Sequence, residues 1–302
     1  MRIRGVLAVL AVLAVASLPA ATGSAAVMCS GSTASIWGTA GADTLYGTGG
    51  HDVIQGGGGG DIIYGYQGDD LICGGDGNDT IYGGEGTNQI WGNAGNDVLM
   101  GGPHFDTIYG GTGNDVLEAA GWAVNRLYGE GGQDRIVLRR VVAGDNGYFD
   151  GGTGRDILDL RSVPAAAPFY LISVGLRFGF LGVGHIASTG AVTYDGAAWV
   201  TGIEDVYGTP GKDELVGTTG SNLLKGLGGN DVIYGYGGND RLLGGGGNDD
   251  IKGEDGDDRL EGGPGSDTLS GGNGTDYTDG GAGSDTCDGE TLVSCEFGAI
   301  LP

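Results

Sequence analysis

Histidine is nearly missing from this chain: His51, His104 and His185 are all it has. No HExxH and no GxSxG occurs either, which removes the familiar zinc-protease and serine-hydrolase arrangements. Cationic side chains are scarce, 14 Lys and Arg against 39 Asp and Glu, for a formal charge of −25. That balance argues against nucleic acid and anionic membranes as partners and makes a cation the natural counterpart. After the N-terminal run, no apolar segment reaches the roughly 18 residues of a transmembrane helix, and no amphipathic helical stretch suits a pore-former.

The N-terminus has the order of a secretory signal peptide. Arg2 and Arg4 precede an apolar run, Val6 to Ala16, followed by Pro19 and small residues ending at Ala26. Residues 1–26 are therefore expected to be cleaved, taking the charge from −25 to −27, and the protein to be secreted and extracellular. Cys29, Cys73, Cys287 and Cys295 allow three pairings in an oxidising compartment; pairing within each end is the expectation.

What the chain has in excess is glycine, 71 of 302 residues. Without a period, such a composition would indicate disorder. Here it is periodic. From Gly38, nine nonapeptides run without a gap to Glu118, and nine more run from Gly208 to Asp288; GGDGNDTIY at 74–82 is typical. Position 6 is Asp in 16 of these 18 units and Asn, at 88 and 222, in the other two. Position 8 is apolar, as Ile81 is, except at Thr278 and Cys287 in the last two units.

One apolar residue in nine is too sparse for an amphipathic helix but is enough for a three-residue strand whose middle side chain points inward. The remaining six residues must turn the chain, and glycine supplies the backbone freedom. Two units make an 18-residue coil, and coils stack through parallel hydrogen bonds at about 4.8 Å. Stacking places the Asp residues in columns, where like charges repel. A hard divalent cation between turns reverses the sign, and calcium, with six to eight oxygen ligands in flexible geometry, suits the site better than magnesium.

These residues resemble the secreted bacterial haemolysin-type calcium-binding (RTX) repeats, GGxGxDxUx. The resemblance implies an all-β fold, a right-handed parallel β-roll or β-helix solenoid with calcium-binding turns. Carried onto the position-6 residues, it implies ligands at Asp43, Asp52, Asp61, Asp70, Asp79, Asp97, Asp106 and Asp115, at Asp134 and Asp156 in degenerate units, and at Asp213, Asp231, Asp240, Asp249, Asp258, Asp267, Asp276 and Asp285. Asn88 and Asn222 hold the slot without charge, and their sites should be weaker. In GGPHFDTIY, His104 replaces a turn glycine, which puts that turn's geometry in question. Bridging units n and n+2 gives at most about 14 calcium ions in the two blocks.

The organisation expected is a signal peptide (1–26), an N-terminal cap (27–37), a first β-roll block (38–118), degenerate and longer solenoid rungs (119–207), a second block (208–288) and a C-terminal cap (289–302). A small inserted β subdomain is the alternative for 160–207. The function expected is a non-enzymatic, secreted calcium-binding β-roll with a structural or surface role, folding with calcium. Alternatives are a module binding a cell-surface or extracellular glycan or protein through the position-9 ladder Tyr46, Tyr64 and Tyr82, or a polysaccharide-acting β-helix enzyme using His185 with Asp145, Asp150 or Asp195.

Overall fold

The structure, a computed structural model, describes residues 28–119, 125–139, 147–163, 170–175, 180–186 and 192–295. Each nonapeptide contributes one strand, and successive strands fall alternately into two long sheets, one of 13 strands and one of 15. The register steps by 18 residues: Ile63 lies beside Ile81 in one sheet and Ile72 beside Ile90 in the other. Two units thus make one coil of a parallel β-roll. The position-8 side chains from both sheets meet between them, and Ile54, Ile63, Ile72, Ile81, Ile90, Leu99, Ile108 and Leu117 are all fully buried. Each contributes about 1.5–3 kcal/mol by leaving water, but only because neighbouring coils cover it.

The strands are not uniformly three residues long. Thr80–Tyr82 is, whereas Leu71–Asp76 runs six, through the first residues of the following turn. The turn backbone itself stacks in register there, Gly75 beside Gly57 and Asn93.

Where the nonapeptide loosens, the core column holds its place. Leu127 pairs with Ile108, 19 residues earlier, and Leu158 with Ile136, 22 residues earlier. The 13-stranded sheet stays parallel throughout, passing from Ile157–Asp159 to Asp205–Tyr207 and on to Leu223–Gly228. The 15-stranded sheet does not. The longer rungs anticipated between Leu160 and Tyr207 are replaced by Tyr170–Gly175, Phe180–Ile186 and Val192–Thr201, an antiparallel meander. Its outer strands pair in parallel with Tyr148–Asp150 and Asp213–Val216, so the sheet remains continuous. No GGxGxD turn occurs there to carry the chain around the roll, so it reverses and stays on one face.

At the N-terminal end, Met28–Cys29 and Ser32–Thr33 form a hairpin around Ser30 and Gly31, both at positive φ. The Cys29–Cys73 disulfide fastens it over the first strands, burying Cys73, while Ile36–Trp37 begins the 15-stranded sheet. At the other end, Cys287–Cys295 closes the chain against its last rung, and Thr291–Val293 ends the 13-stranded sheet. Both disulfides pair within one end of the chain. Residues 1–26, the expected signal peptide, lie outside the described residues. Among the described residues no helix is long and apolar enough to cross a membrane.

Candidate metal sites in the turns

In GGDGNDTIY the turn is made by Gly75 (φ +121°) and Gly77 (φ +123°). A Cβ on either would strike the main chain of the preceding coil at Gly57 or Gly59, so conformation and contact both demand glycine. The chain is thereby brought round so that Asp79 faces inward, next to the Cα of Gly74 in its own turn.

Asp79 is nearly inaccessible, and its two oxygens have different surroundings. Oδ1 accepts a main-chain hydrogen bond at 2.7 to 2.9 Å at every position-6 Asp other than Asp43, Asp52 and Asp213: Asp61 N–H donates to Asp79, and Asp79 N–H donates to Asp97. This makes a column down one edge of the roll: Asp43, Asp61, Asp79, Asp97, Asp115, Asp134 and Asp156, then Asp240, Asp258 and Asp276. The second edge carries Asp52, Asp70, Asn88, Asp106 and Asn125, then Asp213, Asp231, Asp249, Asp267 and Asp285. Every position-6 Asp thus lies in one of two columns.

Oδ2 is the unsatisfied atom. It is buried without a hydrogen-bond partner at Asp61, Asp70, Asp79, Asp97, Asp106, Asp115, Asp134 and Asp156, and again at Asp231, Asp240, Asp249, Asp258, Asp267, Asp276 and Asp285. A buried carboxylate oxygen left so costs about 1–3 kcal/mol or more, and a periodic column of them calls for a common partner. Burial, with the neighbouring carboxylates of the column, raises the affected carboxyls: to about 6 at Asp70, Asp79, Asp156, Asp258 and Asp267, about 7 at Asp97, Asp134 and Asp240, and about 8 at Asp231. Asp106 and Asp213 are pushed to about 7 by burial alone.

A stand-in for the missing partner exists at Asn88. Its amide Nδ2 donates weakly to Gly84 O and Gly86 O, at 3.4 and 3.5 Å. The turn's own carbonyls therefore face the slot, and a positive group placed there meets both them and the carboxylate. Oxygen donors of this kind suit a hard cation. Among the described residues no three His, Cys, Asp or Glu side chains come together as a metal centre, so a cation in these turns would need main-chain carbonyls beside the carboxylates.

A second ladder runs the opposite way. Position-5 side chains accept from the coil that follows: Asn78 Oδ1 from Asn96 N–H at 2.8 Å, Asn96 Oδ1 from Asn114 N–H at 2.7 Å. Each turn is held from both sides. His104 does not disturb this frame, since Asn88 N–H still reaches Asp106 Oδ1 at 2.9 Å; His104 itself pairs with Glu85 on the surface.

Three residues that are not Asp complete the ladders. Asn125 receives Asp106 N–H, Glu204 receives Asp156 N–H at 2.8 Å, and Glu290 receives Asp276 N–H at 2.7 Å. All stand two residues before an apolar rung residue, Leu127, Val206 or Leu292, and that local spacing was the signal. In the middle of the chain arginine does the neutralising: Arg155 grips Asp205 through two hydrogen bonds, and Arg135 and Arg161 both hold Asp159. Burial would raise Asp159, but these hydrogen bonds bring it below the usual range.

The family described as the RTX calcium-binding nonapeptide repeat matches residues 37–72, 74–103, 91–121, 100–136, 207–242, 216–251 and 252–287. The chain belongs to this family. It is a calcium-binding-repeat protein with a β-roll fold, and the matches cover both columns of the first block and of the second. A comparison with curated proteins returned no match. His185 and Asp195, considered for a β-helix enzyme, fall outside the described side chains, and Asp145 falls outside the described residues.

Proposed function

We propose that this RTX protein is a secreted, non-enzymatic scaffold whose β-roll folds with calcium, the position-6 Asp residues being its ligands. The observation that carries the reading is the column of buried, partnerless Oδ2 atoms. The Asp carboxylates would hold the ion together with main-chain carbonyls of the turns, as the inward-facing Gly84 and Gly86 carbonyls suggest. Bound calcium supplies the positive charge that offsets both burial and repulsion in the columns. Because the ligands come together only when coils stack, binding free energy becomes folding free energy. Secretion is supported by the leader-like N-terminus and by two disulfides, which persist in oxidising compartments.

The tyrosine ladder supports protection of a sheet face rather than glycan capture. Tyr64 is stacked between Tyr46 and Tyr82 at 5.5 and 5.0 Å, so both its faces are taken by neighbouring rings, and only the end rings Tyr46 and Tyr82 are exposed. Trp91, Tyr109 and Tyr128 repeat the arrangement on the other sheet.

Circular dichroism in chelator and at about millimolar calcium tests the proposal. The expected outcome is a largely unfolded chain that gains its β spectrum cooperatively with calcium. A full β spectrum in chelator at neutral pH would sink it.

A further inference from the structure

We propose that Thr39, Thr48, Thr209 and Thr218 determine which turns accept a cation: the four turns they begin are closed by the protein itself and take none. This rests on the calcium reading of the other turns and changes its reach, because Asp43, Asp52 and Asp213 then cease to be ligands within their own turns.

The four threonines occupy position 2 of their units, and they do so only in the first two units of each block, one complete coil in each case. There the oxygen that is orphaned elsewhere has two donors. Thr39 N–H and Oγ1–H reach Asp43 Oδ2 at 2.6 and 2.8 Å, and Thr48 N–H and Oγ1–H reach Asp52 Oδ2 at 2.6 and 2.9 Å. Thr209 N–H reaches Asp213 Oδ2 at 2.6 Å, with its hydroxyl between both carboxylate oxygens at 3.0 and 3.1 Å. Thr218 closes on Asn222 Oδ1 at 2.7 and 3.1 Å, while Asn222 Nδ2 donates to Glu204 O. Two hydrogens aimed at the oxygen occupy the side from which a cation would approach, and they carry positive charge of their own.

The backbone separates the same two classes. In turns with an orphaned oxygen the position-2 residue lies at positive φ, whether glycine, as Gly57 (+113°) and Gly263 (+107°), or not, as Leu227 (+81°) and Glu254 (+76°). The four threonines and the position-4 glycines after them, Gly41, Gly50, Gly211 and Gly220, are not left-handed. Each of those glycines instead donates its N–H to the threonine Oγ1, at 3.1 to 3.2 Å. A β-branched residue is strongly disfavoured at positive φ, so threonine at position 2 selects the closed turn and glycine permits the open one.

The test is native mass spectrometry of the whole calcium-loaded chain, comparing wild type with Thr39→Gly/Thr48→Gly and Thr39→Val/Thr48→Val. The glycine pair is expected to carry one or two more calcium ions than wild type, and the valine pair none more. An unchanged ion count in a folded glycine pair overturns the threonine proposal, whereas a wild type that binds no calcium overturns the underlying reading instead. Should the glycine pair not fold, wild-type crystals soaked in terbium decide the matter. Anomalous peaks are expected in the open turns, and a peak within ligand distance of Asp43, Asp52 or Asp213 Oδ2 overturns the proposal.

Discussion

Asp79 Oδ1 accepts the main-chain N–H of Asp61 across one coil at 2.8 Å, while Asp79 Oδ2 lies buried with no partner. One side chain thus does two separable things: it joins coils by a hydrogen bond that needs no metal, and it presents a charge that does. Asp79→Asn should keep the first and lose much of the second, as Asn88 does naturally, its Oδ1 accepting Asp70 N–H at 3.1 Å. Calorimetry should then show an intact fold at saturating calcium with weakened local sites. Asp79→Ala should remove both and destabilise even the calcium-loaded roll by about 1–3 kcal/mol, because Asp61 N–H loses its acceptor.

Acid should stand in for the metal. Asp79, Asp97 and Asp231 titrate at about 6, 7 and 8 in the folded chain, raised chiefly by burial, against 3.8 ordinarily. The folded state therefore binds more protons than the unfolded one between these limits. Stability from this source is fully present below about pH 3.8 and is lost as pH rises through about 6 to 8. In chelator, far-ultraviolet circular dichroism should show more β structure at pH 4.5 than at pH 7.5, and calcium should abolish most of that difference. A chelated chain more folded at pH 7.5 would contradict the raised carboxyls.

Ile81 sits in the core between Ile63 and Leu99 of the same sheet and is fully buried. Ile81→Ala should lower the stability of the calcium-loaded protein by about 2–5 kcal/mol, and Ile81→Val by about 0.5–1.5. Denaturant titration in saturating calcium reads both values.

The Cys29–Cys73 bridge spans 44 positions and clamps the terminal hairpin onto the roll. Loop-closure entropy gives such a link about 4 kcal/mol. Cys29→Ser/Cys73→Ser should lose a stability of that order and expose the 28–37 segment first, as faster hydrogen exchange there than in 56–118 would show.

The roll was legible because its code is local and repeated. Ile81, Asp79 and the turn glycines each recur at fixed places, and period, spacing and charge together leave one economical stacking. Legibility ended where the code was replaced by something that depends on three dimensions. The 170–201 segment reads as strands, but whether they coil or fold back depends on turns the sequence there does not spell out. Glu204 keeps the count, 18 residues before Asn222, but is hidden because its unit lacks the opening glycine pair and carries Glu for Asp. Glu290 is hidden because the last coil is shortened, placing it 14 rather than 18 residues after Asp276. The hydroxyls of Thr39 and its three counterparts were legible as letters, yet only the folded turn shows that they end on the oxygen a metal would need.

Glu290, which receives the last N–H of one column from Asp276, makes the molecule behave as a ruler with a removable middle. Any number of whole 18-residue increments can be taken out ahead of it without changing what it terminates. Excising residues 244–261 would join Leu243 to Gly262 in phase and shorten the rod by about 4.8 Å. Excising only 244–252 would exchange the two sheets beyond the cut and bring Glu290 beneath the wrong column. Length in this protein is therefore quantised, and the unit of change is the coil, not the nonapeptide.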